Sequence, residues 1–122
     1  MEMRAFPLIS GMIESGALVE RAQFAHRSGF ALAALDEKLV CLQVFALEVA
    51  GREYLPAFFF DKRYDRRQLA TVCADLGALG AGSKLQFFMS GMASLNGRTP
   101  LEALEQGAFD RVRTAALGFA DR

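Results

Sequence analysis

The spacing of apolar residues changes near residue 44, and this change limits the folds open to the chain more than any other feature. Before it, apolar residues recur at the three- and four-residue spacing of an α-helix, first from Leu18 and then in four leucines between 32 and 42. From 44 to 49 they alternate with a period of two, which is typical of a β-strand. A turn at 50–53 leads to a second apolar run at 54–60, in which Pro56 favours an edge or a bulge. The pattern predicts two short helices followed by a β-hairpin over 44–60.

The rest of the chain has helical spacing and carries the strongest capping signals. Thr99, Pro100 and Glu102 have the order of a capping box with proline at the first helical position. Asp65 and Ser83 predict the N-caps of two earlier helices. A length of 122 residues suits a single domain. We predict one α+β domain, mostly α, with a helix-turn-helix-like part at 1–43, one β-hairpin at 44–60 and a C-terminal helical bundle at 65–122.

Phenylalanines at 58–60 and 87–88 form the densest aromatic groups of the chain. Core packing is their expected role, since phenylalanine is usually buried. Three consecutive residues of a strand cannot all face one side of a sheet. One or two of residues 58–60 are therefore expected beneath a helix or in an exposed contact patch.

The residues that usually carry catalysis are scarce. The chain has one histidine, His26, and two cysteines, Cys41 and Cys73, whose apolar surroundings predict buried free thiols. A zinc site or a nucleophile with its base needs more such groups, so we expect no catalytic residue, no metal and no cofactor. A small enzyme that uses His26 with Glu20 or Asp36 stays open as an alternative.

Positive and negative charges balance, with 14 of each and a formal net charge of zero, which argues against an extended phosphate-binding surface. Residues 1–16 contain no long apolar run, so we expect neither a secretory signal nor a membrane span, and we predict the cytoplasm as the compartment. Hydrophobic residues make up 52% of the chain, and this large share leaves a homodimer open.

The predicted order of two helices and a hairpin is that of a winged-helix-like module, which makes a DNA-binding transcriptional regulator the first alternative function. The second helix, however, carries Asp36 and Glu37 among mostly apolar residues, and these are poor donors to base edges in the major groove. Basic residues gather instead in and around the charged run 61–67. The candidates for nucleic-acid contact are Arg27, Lys38, Lys62, Arg63, Arg66 and Arg67.

The closing part of the chain contains a longer motif. Residues 95–107 read Leu-Asn-Gly-Arg-Thr-Pro-Leu-Glu-Ala-Leu-Glu-Gln-Gly, and Val112 and Ala115-Ala116 follow. This segment resembles the C-terminal toxin-binding domain of the Xre/MbcA/ParS antitoxin family, whose pattern is roughly Leu-x-Gly-x-Ser/Thr-Pro-x-x-x-Leu-x-x-Gly. Phe87-Phe88 resembles the aromatic segment before that pattern, and the similarity is clearest over 84–122.

The resemblance implies a cytoplasmic bacterial protein whose C-terminal helices bind and neutralise a toxin enzyme of the RES type, often one that consumes NAD. The antitoxin has no catalytic role in that family. The residues implied to hold the fold of the motif are Leu95, Gly97, Thr99, Pro100, Leu101, Leu104 and Gly107. The residues implied to contact the partner are Arg98, Arg111, Arg113, Asp121 and Arg122. The first half departs from the family, whose usual DNA-binding domain is larger and entirely helical, and this leaves a stand-alone relative with another partner open.

Overall fold

The computed structural model describes residues 2–121, with side chains from residue 9 to residue 121. Over this range the chain forms seven α-helices and a small antiparallel sheet, so the predicted α+β class, mostly helical, is confirmed. The helices are α1 (Glu2–Ser15), α2 (Arg21–Ser28), α3 (Leu32–Val40), α4 (Arg66–Asp75), α5 (Ala81–Met89), α6 (Pro100–Glu105) and α7 (Phe109–Ala120). The strands are β1 (Leu18–Glu20), β2 (Leu47–Val49) and β3 (Arg52–Pro56). In the part of the chain so described, every helix is too short or too polar to cross a membrane.

The sheet has one strand more than the predicted hairpin. Its order is β1-β3-β2, so Tyr54 of β3 lies between Glu20 on one side and Leu47 on the other. The helical spacing that starts at Leu18 predicts a helix there, and this prediction is wrong for the first three residues. They pair with the open edge of the hairpin, which satisfies their backbone groups before α2 begins at Arg21.

The turn between β2 and β3 has the predicted position. Ala50 and Gly51 both have positive φ, +54° and +79°, as a two-residue hairpin turn that matches the twist of the strands requires. β3 is the central strand, so the expectation that Pro56 restricts it to an edge is wrong. Proline is tolerated because it is the last residue of β3 and lies beyond the residues that pair with β2. On the β1 side the next hydrogen bond is donated by the N–H of Ala57 to the carbonyl oxygen of Ala17 at 2.8 Å.

Residues 57–60 form a short 3-10 helix where the sequence predicts more strand. Its winding, about three residues per turn, directs consecutive side chains to different sides. Phe58 and Phe59 are consequently buried and Phe60 is half-buried. The rings of Phe58 and Phe59 lie 5.0 and 6.3 Å from that of Phe88 in α5, so the predicted core role of these aromatic residues is confirmed.

The helices of the second half begin partly as predicted. The Asp65 carboxylate accepts hydrogen bonds from the backbone N–H groups of Arg67 and Gln68 at 2.8 and 3.1 Å, and it caps α4. The cap predicted at Ser83 is wrong, because α5 already begins at Ala81 after the extended backbone of Gly80. No side chain caps α5, and Ser83 lies inside its first turn.

The two cysteines differ in accessibility, so the prediction of two buried thiols is wrong for Cys41. Cys41 is exposed because α3 ends just before it, whereas Cys73 lies fully buried on α4. Burial raises the pKa of the Cys73 thiol to about 11, so that only about one part in a thousand is thiolate at pH 8. We expect Ellman's reagent to label one thiol in the native protein and two in denaturant. A Cys41→Ser variant is the control, and fast labelling of that variant without denaturant would contradict the burial of Cys73.

Candidate partner-binding groove

The motif at 95–107 starts in a closed turn between α5 and α6. Leu95 is completely buried at the end of a short 3-10 helix. Asn96 and Gly97 then adopt the left-handed backbone, with φ of +59° and +82°, which glycine tolerates better than any other residue. The N–H of Met92 donates to the carbonyl oxygen of Arg98 at 3.1 Å, and this bond closes the turn.

α6 begins with the predicted capping box. The Thr99 hydroxyl accepts from the Glu102 N–H at 3.1 Å, while the Glu102 carboxylate accepts from the Thr99 N–H at 2.8 Å. Pro100 is the first helical residue. In the rest of the motif Leu101 and Leu104 are buried, and the exposed Gly107 is left-handed at φ +84°. The seven motif residues therefore shape the turn and the helix, and the exposed ones among them are the two glycines.

A groove runs between this turn and one face of α7. Two adjoining cavities of about 500 and 450 Å³ form it, and they share Met92, Ser94 and Phe119. On its other side α7 is anchored to α4, where Arg113 donates two hydrogen bonds to Asp75 at 2.8 and 3.2 Å. We call this surface the α7 groove. The residues of α7 that line it recur at helical spacing: Asp110, Arg111, Thr114, Ala115, Gly118 and Phe119.

The α7 groove is largely apolar. Met92, Ala115 and Phe119 are apolar side chains of its lining. On the two helices that contribute to the groove, Met89 at the end of α5 is 43% exposed and Leu117 on α7 is 52% exposed. Soft methionine side chains adapt to the shape of a bound partner. The polar side chains of Ser94, Asp110 and Arg111 line the groove beside the apolar ones.

The residues that the resemblance implies for partner contact differ in their contacts and in their exposure. Arg98 donates to the Leu95 carbonyl at 2.9 Å and also to Gln106, so it braces the motif turn. Arg113 is engaged with Asp75, and the hydrogen bonds that it donates to that carboxylate raise the pKa of the guanidinium. Arg111 lines the α7 groove, and Asp121 is exposed at the end of α7. Arg122 lies outside the described residues.

Residues that the sequence does not single out complete the groove. Met92, Ser94 and Gly118 carry no motif role, yet all three line it. The nearest signal is the run Phe-Phe-Met-Ser-Gly-Met at 87–92, where methionine and small residues follow two core phenylalanines. Helical spacing alone assigns that run to a core stripe, because it cannot show where α5 ends.

The six basic residues predicted for nucleic-acid contact have different contacts in the structure. Arg63 is hydrogen-bonded to Asp61, and this contact holds the pKa of the carboxyl below its usual value. Arg27 lies over the ring of Phe60. Lys38 and Arg66 both lie near the ring of Phe30. Lys62 is exposed in the turn before α4, and Arg67 is exposed in the first turn of that helix.

The exposed surface of α3 is acidic and apolar. Asp36 and Glu37 are exposed on it, and so are Leu32 and Val40, the latter to 81%. Lys38, the basic residue of this helix, is half-buried. A reading helix in the major groove needs donors that these residues do not supply.

The carboxylates considered as partners of His26 are engaged elsewhere. Asp36 forms an ion pair with Arg21, and Glu20 forms one with Arg52. His26 is exposed on α2, and it lines neither the α7 groove nor the smaller cleft described below. Within the described range, no three histidine, cysteine, aspartate or glutamate side chains are grouped so as to hold a metal ion. Comparison of this chain with protein-family models, with curated proteins and with solved structures finds no match.

Proposed function

We propose that this protein is an antitoxin-like binding protein of the cytoplasm, which neutralises a toxin enzyme of the RES type by binding it through the α7 groove. The observation that carries the proposal is the open, largely apolar groove within the segment that resembles the toxin-binding domain. The resemblance names the class of partner, and the groove offers that partner a surface.

The physical support is the apolar surface that a partner would remove from water. Met92 and Phe119 line the groove, and apolar area contributes roughly 25 cal/mol for each Å² buried. An apolar centre with polar groups at its rim is the usual composition of a protein interface. Burial of this surface by a partner is therefore favourable.

The charged residues near the groove divide into two roles under this proposal. Arg111 and Asp121 are exposed and contact the partner directly. Arg98 and Arg113 hold the turn and α7 in place through their contacts with the Leu95 carbonyl and Asp75. Replacement of the first pair should weaken binding alone, whereas replacement of the second pair should also lower the free energy of unfolding.

Gly118 gives the sharpest test of the groove. A Cβ added there meets no atom within 4 Å, and the residue lies inside α7. We expect Gly118→Glu to weaken partner binding at least about tenfold, or about 1.4 kcal/mol, because a charge would be buried against an apolar surface. Gly118→Ala is the matched control: it should bind like the wild type and stabilise the fold by about 0.5–1 kcal/mol, since alanine favours a helix more than glycine does.

The experiment has two steps. Tagged full-length protein recovers its partners from its own cells, and a recovered RES-type enzyme is then purified and assayed for NAD consumption. Inhibition by the wild type and Gly118→Ala, with loss of inhibition by Gly118→Glu, supports the proposal. Equal inhibition by all three proteins would show that contact lies outside the α7 groove, and no inhibition by the wild type would overturn the proposed function.

A winged-helix-like DNA-binding regulator is the second candidate, and the order of elements favours it. β1, α2, α3, β2 and β3 follow one another, and the sheet order β1-β3-β2 places a hairpin beside two helices. The acidic and apolar surface of α3 opposes it. Salt-dependent, sequence-specific binding to the DNA upstream of its own gene would promote this candidate over the first.

A further inference from the structure

A smaller cleft lies between α3 and the beginning of α4. Its volume is about 40 Å³, and Phe30, Lys38, Gln43 and Arg66 line it together with apolar side chains. Such a space holds roughly three water molecules, enough for one small anionic group and too little for a nucleoside ring. We call it the Lys38–Arg66 cleft, and none of its lining residues belongs to the α7 groove.

Two cations share one aromatic ring in this cleft. Lys38 Nζ lies 4.8 Å from the centroid of the Phe30 ring, and Arg66 Cζ lies 5.4 Å from the same centroid. Two like charges around one ring repel each other. Arg66 is also the first residue of α4, where the helix dipole disfavours a cation. An anion bound in the cleft that both side chains line would relieve both effects.

No carboxylate within the described part of the chain fills that role. Lys38 Nζ donates a long hydrogen bond of 3.5 Å to Gln43 Oε1, and Arg66 Nη1 donates to the Ser28 carbonyl at 2.9 Å. Among the described residues, no aspartate or glutamate oxygen lies within 4.0 Å of either cation. Each cation therefore keeps unused donors in a cleft that both side chains line.

We propose that the Lys38–Arg66 cleft binds a phosphoryl group, either of free phosphate or of a phosphate monoester. Such a group carries a charge of roughly −1.5 to −2 at neutral pH and three acceptor oxygens, which matches two uncompensated cations. The planar guanidinium of Arg66 suits two of the oxygens, and the Lys38 ammonium suits the third as a point charge. The amide nitrogen of Gln43 remains as a further donor, because its Oε1 accepts from Lys38. A carboxylate, with one charge and two oxygens, satisfies fewer of these groups.

The test is a titration of the full chain, followed through its backbone amide resonances at low ionic strength. Inorganic phosphate is one ligand and a nucleoside 5′-monophosphate is the other. We expect saturable shifts at residues 30, 43 and 66 in the millimolar range. Lys38→Met and Arg66→Gln should each weaken binding about tenfold, whereas Arg67→Gln removes the same charge one residue along and should change it by less than about twofold.

The titrations distinguish free phosphate from a phosphate monoester as the ligand, and both of these from diffuse charge attraction. Equal affinity for both ligands supports the proposal with free phosphate as the ligand, and tighter binding of the nucleoside monophosphate supports it with a monoester. If Arg66→Gln does not fold, Lys38→Met decides, since that change removes the long hydrogen bond to Gln43 and the charge beside the Phe30 ring but no ion pair. Shifts that fail to saturate, or that fall equally in Lys38→Met and Arg67→Gln, would show diffuse charge attraction and overturn the proposal.

Discussion

Replacement of Phe88 by alanine is expected to lower the free energy of unfolding by about 3–5 kcal/mol, the usual cost of removing a buried phenylalanine ring. Phe88 is fully buried in α5, and its ring lies 5.0 Å from that of Phe58 and 5.6 Å from that of Phe87. The rings of Phe45 and Phe59 complete its surroundings at 6.2 and 6.3 Å. Because the ring joins the end of the hairpin to the C-terminal helices, the loss should weaken both parts together.

Denaturant unfolding measures this change, and the neighbouring residue supplies the control. Met89 follows Phe88 on the same helix and is 43% exposed, so Met89→Ala should cost far less, within about 0.5 kcal/mol. A similar loss in the two variants would contradict the placement of Phe88 at the junction. Unfolding of Phe88→Ala in two separate steps would show instead that the two parts fold independently.

Gly91→Ala is expected to destabilise the protein by about 1–3 kcal/mol, because the new Cβ has no room. That Cβ would lie 2.6 Å from the carbonyl oxygen of Gly97, a backbone atom inside the motif turn. The two arms of the turn would have to separate, and this movement would also shift Met92 and Ser94 in the α7 groove. We expect weaker partner binding together with the loss of stability.

Gly118→Ala is the matched control for Gly91→Ala, since each of the two substitutions adds a single methyl group. The open surroundings of Gly118 predict a gain in stability where Gly91 predicts a loss. Thermal unfolding of the two variants and the wild type measures both changes in stability, the expected loss in Gly91→Ala and the expected gain in Gly118→Ala. A Gly91→Ala protein as stable as the wild type would mean that the turn is looser than its hydrogen bonds indicate.

The features predicted best are those encoded by neighbours in the chain. Thr99, Pro100 and Glu102 form a capping box through contacts that span three residues, so their order is sufficient to place the start of α6. Asp65 caps α4 for the same reason. The local sequence does not predict β1, because Leu18–Glu20 becomes a strand only by pairing with residues 54–56, more than thirty positions later.

The α7 groove also could not be predicted from neighbours in the chain. One wall comes from residues 86–94 and the other from residues 110–119, and only tertiary packing brings them together. The motif predicts where the segment lies in the chain, but its own residues are mostly used in building the turn and α6. Arg98 and Arg113 illustrate this difference, because the resemblance implies a partner contact for them while the fold engages them with the Leu95 carbonyl and Asp75.

Hydrogen exchange of the protein, measured alone and in complex with the recovered RES-type enzyme, tests the partner-binding role of the α7 groove most directly. We predict slower exchange at residues 90–94 and along α7 in the complex, with α2 and α3 unchanged. Slower exchange confined to α2, α3 and the sheet, with the α7 groove unaffected, would contradict binding of the partner through the α7 groove.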